Sequence, residues 1–231
     1  HTISHMNRSL LLASLSALLL LCTGCFELIE ELTLNADGSG HVAITFNCSK
    51  SKTRLKSIML MDSINGSNVP SKPDIQNEIY QLRRYLNAMK GISGVNLKLD
   101  PDNFIYTVEG DFDDIAALND ALNEVVETSL TRRAIPFSFV PFDHYKLSGS
   151  QFTRTGPSRD RVPDYERVKY EDRNIFESGE YRAIYRFERP IRSVSNPRAK
   201  VSKNGQAMMF HATVKELMNQ RIPMANTITL Q

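Results

Sequence analysis

A chain of 231 residues, 41% hydrophobic and 23% charged, is long enough to bury a core of its own and too apolar for a disordered or fibrous protein. Its formal net charge of +2 excludes a polyanion binder that works by net charge alone. The charge is unevenly spread: residues 25–131 hold 9 Lys+Arg against 16 Asp+Glu, and residues 132–231 hold 18 against 10, which predicts a polarised surface or two halves that attract each other.

Residues 1–5, HTISH, precede Met6 and read as upstream sequence outside the fold. Arg8 then leads into twelve residues, Leu10 to Leu21, that are all Leu, Ala or Ser. A basic start and an apolar stretch of that length predict an export signal over residues 6–24, because a membrane span needs about 20 apolar residues. Leu21-Cys22-Thr23-Gly24-Cys25 closes this segment. Two cysteines three apart invite a redox or zinc reading. A redox pair belongs at a strand-to-helix junction, however, and zinc needs two further ligands, whereas His41, His144 and His211 stand far apart. The motif instead resembles the lipobox of bacterial lipoproteins, with small residues at 23 and 24 and Cys22 in place of the usual Leu or Val. That resemblance implies that Cys22 leaves with the signal and that Cys25 carries the lipid as the first residue of the mature chain. Cys48 then reads as a small buried apolar residue.

Phe26, Leu28, Leu32 and Leu34 alternate in part, Asn35 to Gly40 supply turn chemistry, and Val42, Ile44 and Phe46 alternate on the return, so a hairpin follows Cys25 at once. The tether between lipid and fold is correspondingly short. Residues 50–61 predict a helix with Leu55, Ile58 and Met59 on one face, although three apolar residues in a row at 59–61 blur its pattern. A loop follows, and Ser71-Lys72-Pro73-Asp74 has the form of a capping box before Ile75, Ile79, Leu82, Leu86 and Met89. Val95 to Phe112 reads as a second hairpin turning at Asp100 to Asn103. Asp113 and Asp114 then open a helix with Ile115, Leu118, Leu122, Val125 and Val126 on one face. Strands follow near Phe137, Phe139 and Phe142 and over 151–154, a solvated loop over 155–179, and strands over 180–188, 207–214 and 228–230, with a short helix at 214–219. The expectation is a single α+β domain over 25–231, helix-containing to 133 and strand-rich from 134. Its largely antiparallel sheet is built from hairpins and carries two to three amphipathic helices.

No nucleotide-binding, hydrolase-elbow, zincin or EF-hand motif occurs, so no catalytic residue, cofactor or metal ligand is assigned. The adjacent acids Glu30-Glu31, Asp113-Asp114 and Glu171-Asp172 read as solvated or capping groups, since neighbours in a strand point to opposite faces. The basic, aromatic stretch Arg154–Arg192 is the most distinctive candidate, with Arg159, Arg161, Arg167, Lys169, Arg173, Arg182 and Arg186 offering an anionic-ligand or partner surface. Export argues against nucleic acid there. Anionic headgroups or glycans, the acidic half of the same chain, or solvent alone remain as its partners.

The run Glu31-Leu32-Thr33-Leu34-Asn35-Ala36-Asp37-Gly38-Ser39-Gly40, the closing Ile191-Arg192-Ser193-Val194-Ser195-Asn196, and Asn204-Gly205 followed by Val214 to Met218 resemble bacterial lipoproteins with an LppM-like domain. That resemblance implies an α+β, lipid-binding domain anchored at the envelope, with no catalytic residues to carry over. The expected function is a non-catalytic, membrane-anchored envelope lipoprotein facing the periplasm, with a lipid or protein partner at the membrane surface. Phe26 after the lipidated cysteine permits outer-membrane sorting in a diderm host. The alternatives are a structural subunit of an envelope assembly and a hydrolase acting on an envelope component. Carriage of a lipid would need an apolar pocket on the order of a few hundred Å³ between helices and sheet.

Overall fold

In the computed structural model, which describes residues 26–64, 67–69, 71–131, 141–156, 165–167, 173, 177–219 and 221–231, the alternating segment after residue 25 pairs as its spacing predicts. Strands β1 (Glu27–Leu34) and β2 (Gly40–Asn47) run antiparallel, from Glu27 opposite Asn47 to Leu34 opposite Gly40. Their turn needs Gly38, which adopts a φ of +90°, a conformation costly for residues with a Cβ. A 3-10 turn, Ser49–Ser51, leads into helix α1 (Lys52–Ile58), and the expected loop beyond it contains a small hairpin of β3 (Ser63–Ile64) and β4 (Ser67–Asn68).

Helix α2 (Lys72–Asn87) opens on the predicted capping box: the Ser71 hydroxyl accepts from the Asp74 N–H and the Asp74 carboxylate accepts from the Ser71 N–H. The second hairpin, β5 (Ile92–Asp100) and β6 (Ile105–Phe112), precedes helix α3 (Ile115–Thr131), whose first turn is closed by the Asp114 carboxylate on the Ala117 N–H at 2.8 Å. Strands β7 (Tyr145–Ser148) and β8 (Gln151–Arg154) form a third hairpin. The chain then supplies β9 (Glu180–Phe187), β10 (Ile191–Val194), β11 (Lys200–Val201), β12 (Ala207–Thr213), helix α4 (Val214–Met218) and β13 (Asn226–Leu230). Residues 1–25 and the expected strand around Phe137 and Phe139 lie outside the described residues.

The strands divide between a seven-stranded sheet, ordered β11-β12-β9-β1-β2-β6-β5, and a four-stranded sheet, ordered β10-β13-β8-β7. All pairs are antiparallel except β1 with β9. The class is therefore α+β and mostly antiparallel, as expected, with four α-helices among the described residues and two main sheets where the sequence suggested one. Periodicity marks a strand's buried face but not the sheet it joins.

The main core lies between the two sheets. Leu32, Leu34, Tyr181, Tyr185 and Phe187 from the large sheet meet Tyr145, Phe152, Ile228 and Leu230 from the small one, with the Phe152 ring 5.6 Å from Tyr145 and 5.4 Å from Phe187. Each such buried side chain contributes about 1.5–3 kcal/mol against its exposed state. A second cluster gathers Cys48, Leu55, Ile58, Ile75, Ile79, Phe104 and Tyr106 under α1 and α2, and a third joins Leu86, Val95 and Ala121.

One expectation is corrected. Glu30 is not solvated; it points into the core between the sheets at 6% exposure. Strand alternation forces this, because Leu32 and Leu34 face inward and Glu30 shares their parity, while Glu31 faces outward beside Arg186.

Candidate functional site

The end of the large sheet at which β1 begins gathers several elements around Phe26. Phe26 leads into β1 and is held from both sides. Its carbonyl accepts the Glu180 N–H at 2.9 Å, its ring lies 5.6 Å from Phe46, and it packs against the Cys48, Leu55 and Ile58 cluster. Gly179 makes room for that ring: a Cβ there would stand 2.6 Å from it. One peptide unit, about 3.8 Å between Cα atoms, separates Phe26 from residue 25.

Around this dock stand α1, the β5–β6 turn and the start of α4. The Cys48 N–H donates to the Phe104 carbonyl at 2.9 Å, tying the entry to α1 onto that turn. Phe104 itself is buried with a φ of +57°, the left-handed region that a bulky residue occupies only where packing holds it. Lys52 donates to Asn103 Oδ1 at 2.6 Å, and the Asp100 side chain accepts from Asn103, which keeps its carboxyl below the usual range. Leu55 and Ile58 face inward, so the outer side of α1 presents Thr53, Arg54, Lys56 and Ser57. Leu60 and Met61 follow at 88% and 49% exposure. The apolar run at 59–61 thus splits: Met59 packs inward and the next two face water.

Beside α1, Met59, Ile75, Ile79, Leu99, Phe104 and Tyr106 line an apolar groove. It encloses only about 10 Å³, room for a single water and far below the roughly 300 Å³ at which small-molecule pockets begin.

A second concentration of polar groups sits between the sheets. Arg154 Nε and Nη2 donate to the two Glu30 oxygens, each at 3.1 Å, and the Tyr185 hydroxyl donates to Glu30 Oε1. Arg154 also donates to the carbonyls of His144 and Thr155 and lies 5.0 Å over the Tyr145 ring. Burial pushes the Glu30 carboxyl up, but the Arg154 charge and the tyrosine hydroxyls outweigh it and hold it below its ordinary value. The same burial drives the Tyr145, Tyr181 and Tyr185 hydroxyls up, so they stay protonated. Burial and the neighbouring Arg154 charge lower His144 to about 4. Its Nε2 lies 3.0 Å from Asn123 Oδ1. The arrangement joins β1 and β9 of one sheet to β8 of the other through an ion pair closed in by aromatic rings, a bolt between layers. The sequence signal was Glu30, the polar residue in the inward slot before Leu32; nothing marked Arg154 as its partner.

The predicted basic surface is partly spent inside the molecule. Arg182 pairs with Glu27 at 2.9 Å and Arg186 with Glu31 at 2.8 Å, both on the outward face of the β1–β9 pair. These ties run between the basic and acidic halves of the chain. Arg173 pairs with Glu166 at 3.3 Å and lies 5.6 Å over the Tyr165 ring, on whose side Lys215 also sits. Arg167 belongs to a 3-10 turn, Tyr165–Arg167. Arg159, Arg161, Lys169 and Cys25 lie outside the described residues. Among the described residues no three His, Cys, Asp or Glu side chains gather as metal ligands, and no helix is long and apolar enough to cross a membrane.

No family model matches the chain. No curated protein sequence matches it either. Among solved structures it is similar to the folded domain of the Mycobacterium tuberculosis LppM protein, determined by NMR, with 8% identity, 89% of each chain covered and a TM-score of 0.37. Likeness of that degree decides nothing about function.

Proposed function

We propose that this chain is a non-catalytic lipoprotein of the cell envelope, held at a membrane by acyl chains on Cys25 and engaging a lipid or protein partner at that surface. The observation that supports the reading is the docking of Phe26. Phe26, one residue after the lipobox cysteine, is fixed by a strand hydrogen bond and a half-buried ring contact. An acylated residue 25 would therefore hold the domain against the headgroups. Two or more acyl chains anchor stably where one binds only marginally, so a rigid short tether is no handicap to retention.

The intact mass of the chain purified from membranes tests the reading. Cleavage before Cys25 with added acyl mass is expected, and Cys25→Ala should leave the signal uncut and the acyl mass absent. An unmodified, uncleaved wild-type chain would overturn it.

A further inference from the structure

The geometry points to a second membrane contact at the anchor end: the outer face of α1 with Leu60 and Met61 docks onto an anionic phospholipid surface. This inference rests on lipidation at Cys25 and adds the headgroup class and the residues that meet it. Three observations carry it together. Position comes first: Phe26, one residue from the anchor, packs on the same cluster that Leu55, Ile58 and Met59 enter, so α1 sits where the acyl chains would hold the domain. Composition comes second: Lys50, Lys52, Arg54 and Lys56 fall within seven residues, with no acid among them. Among the described residues no carboxylate lies at ion-pair distance from Lys56; Lys52 is turned to Asn103 Oδ1 at 2.6 Å, and Lys50 reaches Glu180 at 3.8 Å. The nearby acids are Asp102, paired with Lys72 at 3.4 Å, Asp100, engaged by Asn103 and the Lys52 charge, and exposed Asp62 beside Met61.

Exposure is the third. Leu60, at 88%, stands out among the described apolar residues, and Met61 adjoins it. The backbone continues the helical turn through them, with the Leu60 N–H on the Ser57 carbonyl and the Met61 N–H on that of Ile58. Leu60 therefore stands one 3-10 turn on from Ser57, on the exposed side of α1. Basic residues beside an exposed Leu and Met form the pattern of an interfacial element, with the apolar tips among the acyl-chain boundaries and the ammonium groups at phosphate level. A helix of seven residues is too short to hold a free protein at a bilayer. Tethered through Cys25 the contact becomes intramolecular, and weak groups suffice.

The experiment uses the full chain, acylated in its host, carrying an environment-sensitive dye on Leu60→Cys or, as a control, on Lys203→Cys. Residue 203 lies in the turn beside Gln206, whose carbonyl accepts the Phe187 N–H at the opposite end of β9. Each protein is reconstituted into vesicles of phosphatidylcholine alone or mixed in equal parts with phosphatidylglycerol, and its mass is taken. With Cys25 acylated, the dye at 60 is expected to shift to the blue and escape an aqueous quencher in the anionic vesicles only, while the dye at 203 stays aqueous. Adding Lys56→Glu, a change of two charge units, should lower the docked-to-undocked ratio about thirtyfold, the equivalent of roughly 1 kcal/mol per unit at an anionic surface.

An acylated chain whose residue-60 dye stays aqueous in both vesicles overturns the docking and leaves the anchor standing. Equal shielding in both vesicles overturns the headgroup assignment. Shielding in native membranes but in neither vesicle gives this face to a protein instead. An unacylated mass defeats the anchor, and with it the docking that depends on it.

Discussion

Replacing Arg154 with methionine keeps the bulk of a long side chain while leaving Glu30 in the core without its cation. The carboxylate is 6% exposed, and its two oxygens would exchange two charge-assisted contacts at 3.1 Å for the Tyr185 hydroxyl alone. At an effective dielectric of about 20, opposite charges about 4 Å apart attract by roughly 4 kcal/mol. Breaking one side of a buried pair costs about 3–5 kcal/mol, so Arg154→Met is expected to fall in that range. Glu30→Gln/Arg154→Met buries no charge and still offers Tyr185 an acceptor, so it should be more stable than Arg154→Met alone. The assay is urea unfolding followed by circular dichroism at constant m value, with both single variants and the double variant. The coupling between the two sites should exceed about 2 kcal/mol. The pH response supplies a second sign. In the wild type the Glu30 carboxyl is held below its ordinary value, so its stabilisation is present above the unfolded value and is lost as pH falls through the folded one. Without Arg154 the effect of burial outweighs that of the tyrosine hydroxyls, the carboxyl rises, and Arg154→Met should gain stability relative to wild type on acidification. Single losses under about 1 kcal/mol that simply add in the double variant would refute the bolt between the sheets.

Three further outcomes are expected. His144, lowered from 6.5 to about 4, is bound by more protons in the unfolded chain between those values, so stability should decline as pH falls across that window. The decline should amount to about 2 kcal/mol after allowance for solvent at its edge, and His144→Gln should flatten it; an unchanged pH profile in that variant would reject the assignment. Gly179→Ala places a Cβ 2.6 Å from the Phe26 ring and 3.1 Å from Val214. It should cost about 1–3 kcal/mol and speed chymotryptic cleavage at Phe26, whereas wild-type cleavage rates would show that Phe26 is not docked there. Ser71→Ala removes the hydroxyl of the α2 capping box and should lower stability by about 1 kcal/mol in the same urea assay, with no change in helix content away from the transition.

Several elements were legible from local chemistry because local chemistry makes them. The capping box at Ser71, the turn glycine at 38, the hairpin turn at Asp100 to Asn103 and the Asp114 cap of α3 each depend on residues within a few positions of one another. What stayed hidden was every relation between distant positions. Glu30 and Arg154 lie 124 residues apart, and no period in either strand says that the two side chains meet. Arg182 and Arg186 read as a surface for an anionic ligand or for the acidic half of the chain; they pair with Glu27 and Glu31 because β9 lies parallel to β1, a neighbour relation that hairpin logic does not supply. The run Met59-Leu60-Met61 only blurred a helical pattern in sequence. Packing turned Met59 inward and left the other two in water. The sequence alone determined the α+β class and most strands and helix starts, since those follow from neighbouring residues. Tertiary structure decided which sheet each strand joined, which charges were buried and which face lies beside Phe26, because those depend on contacts that only closing the chain creates.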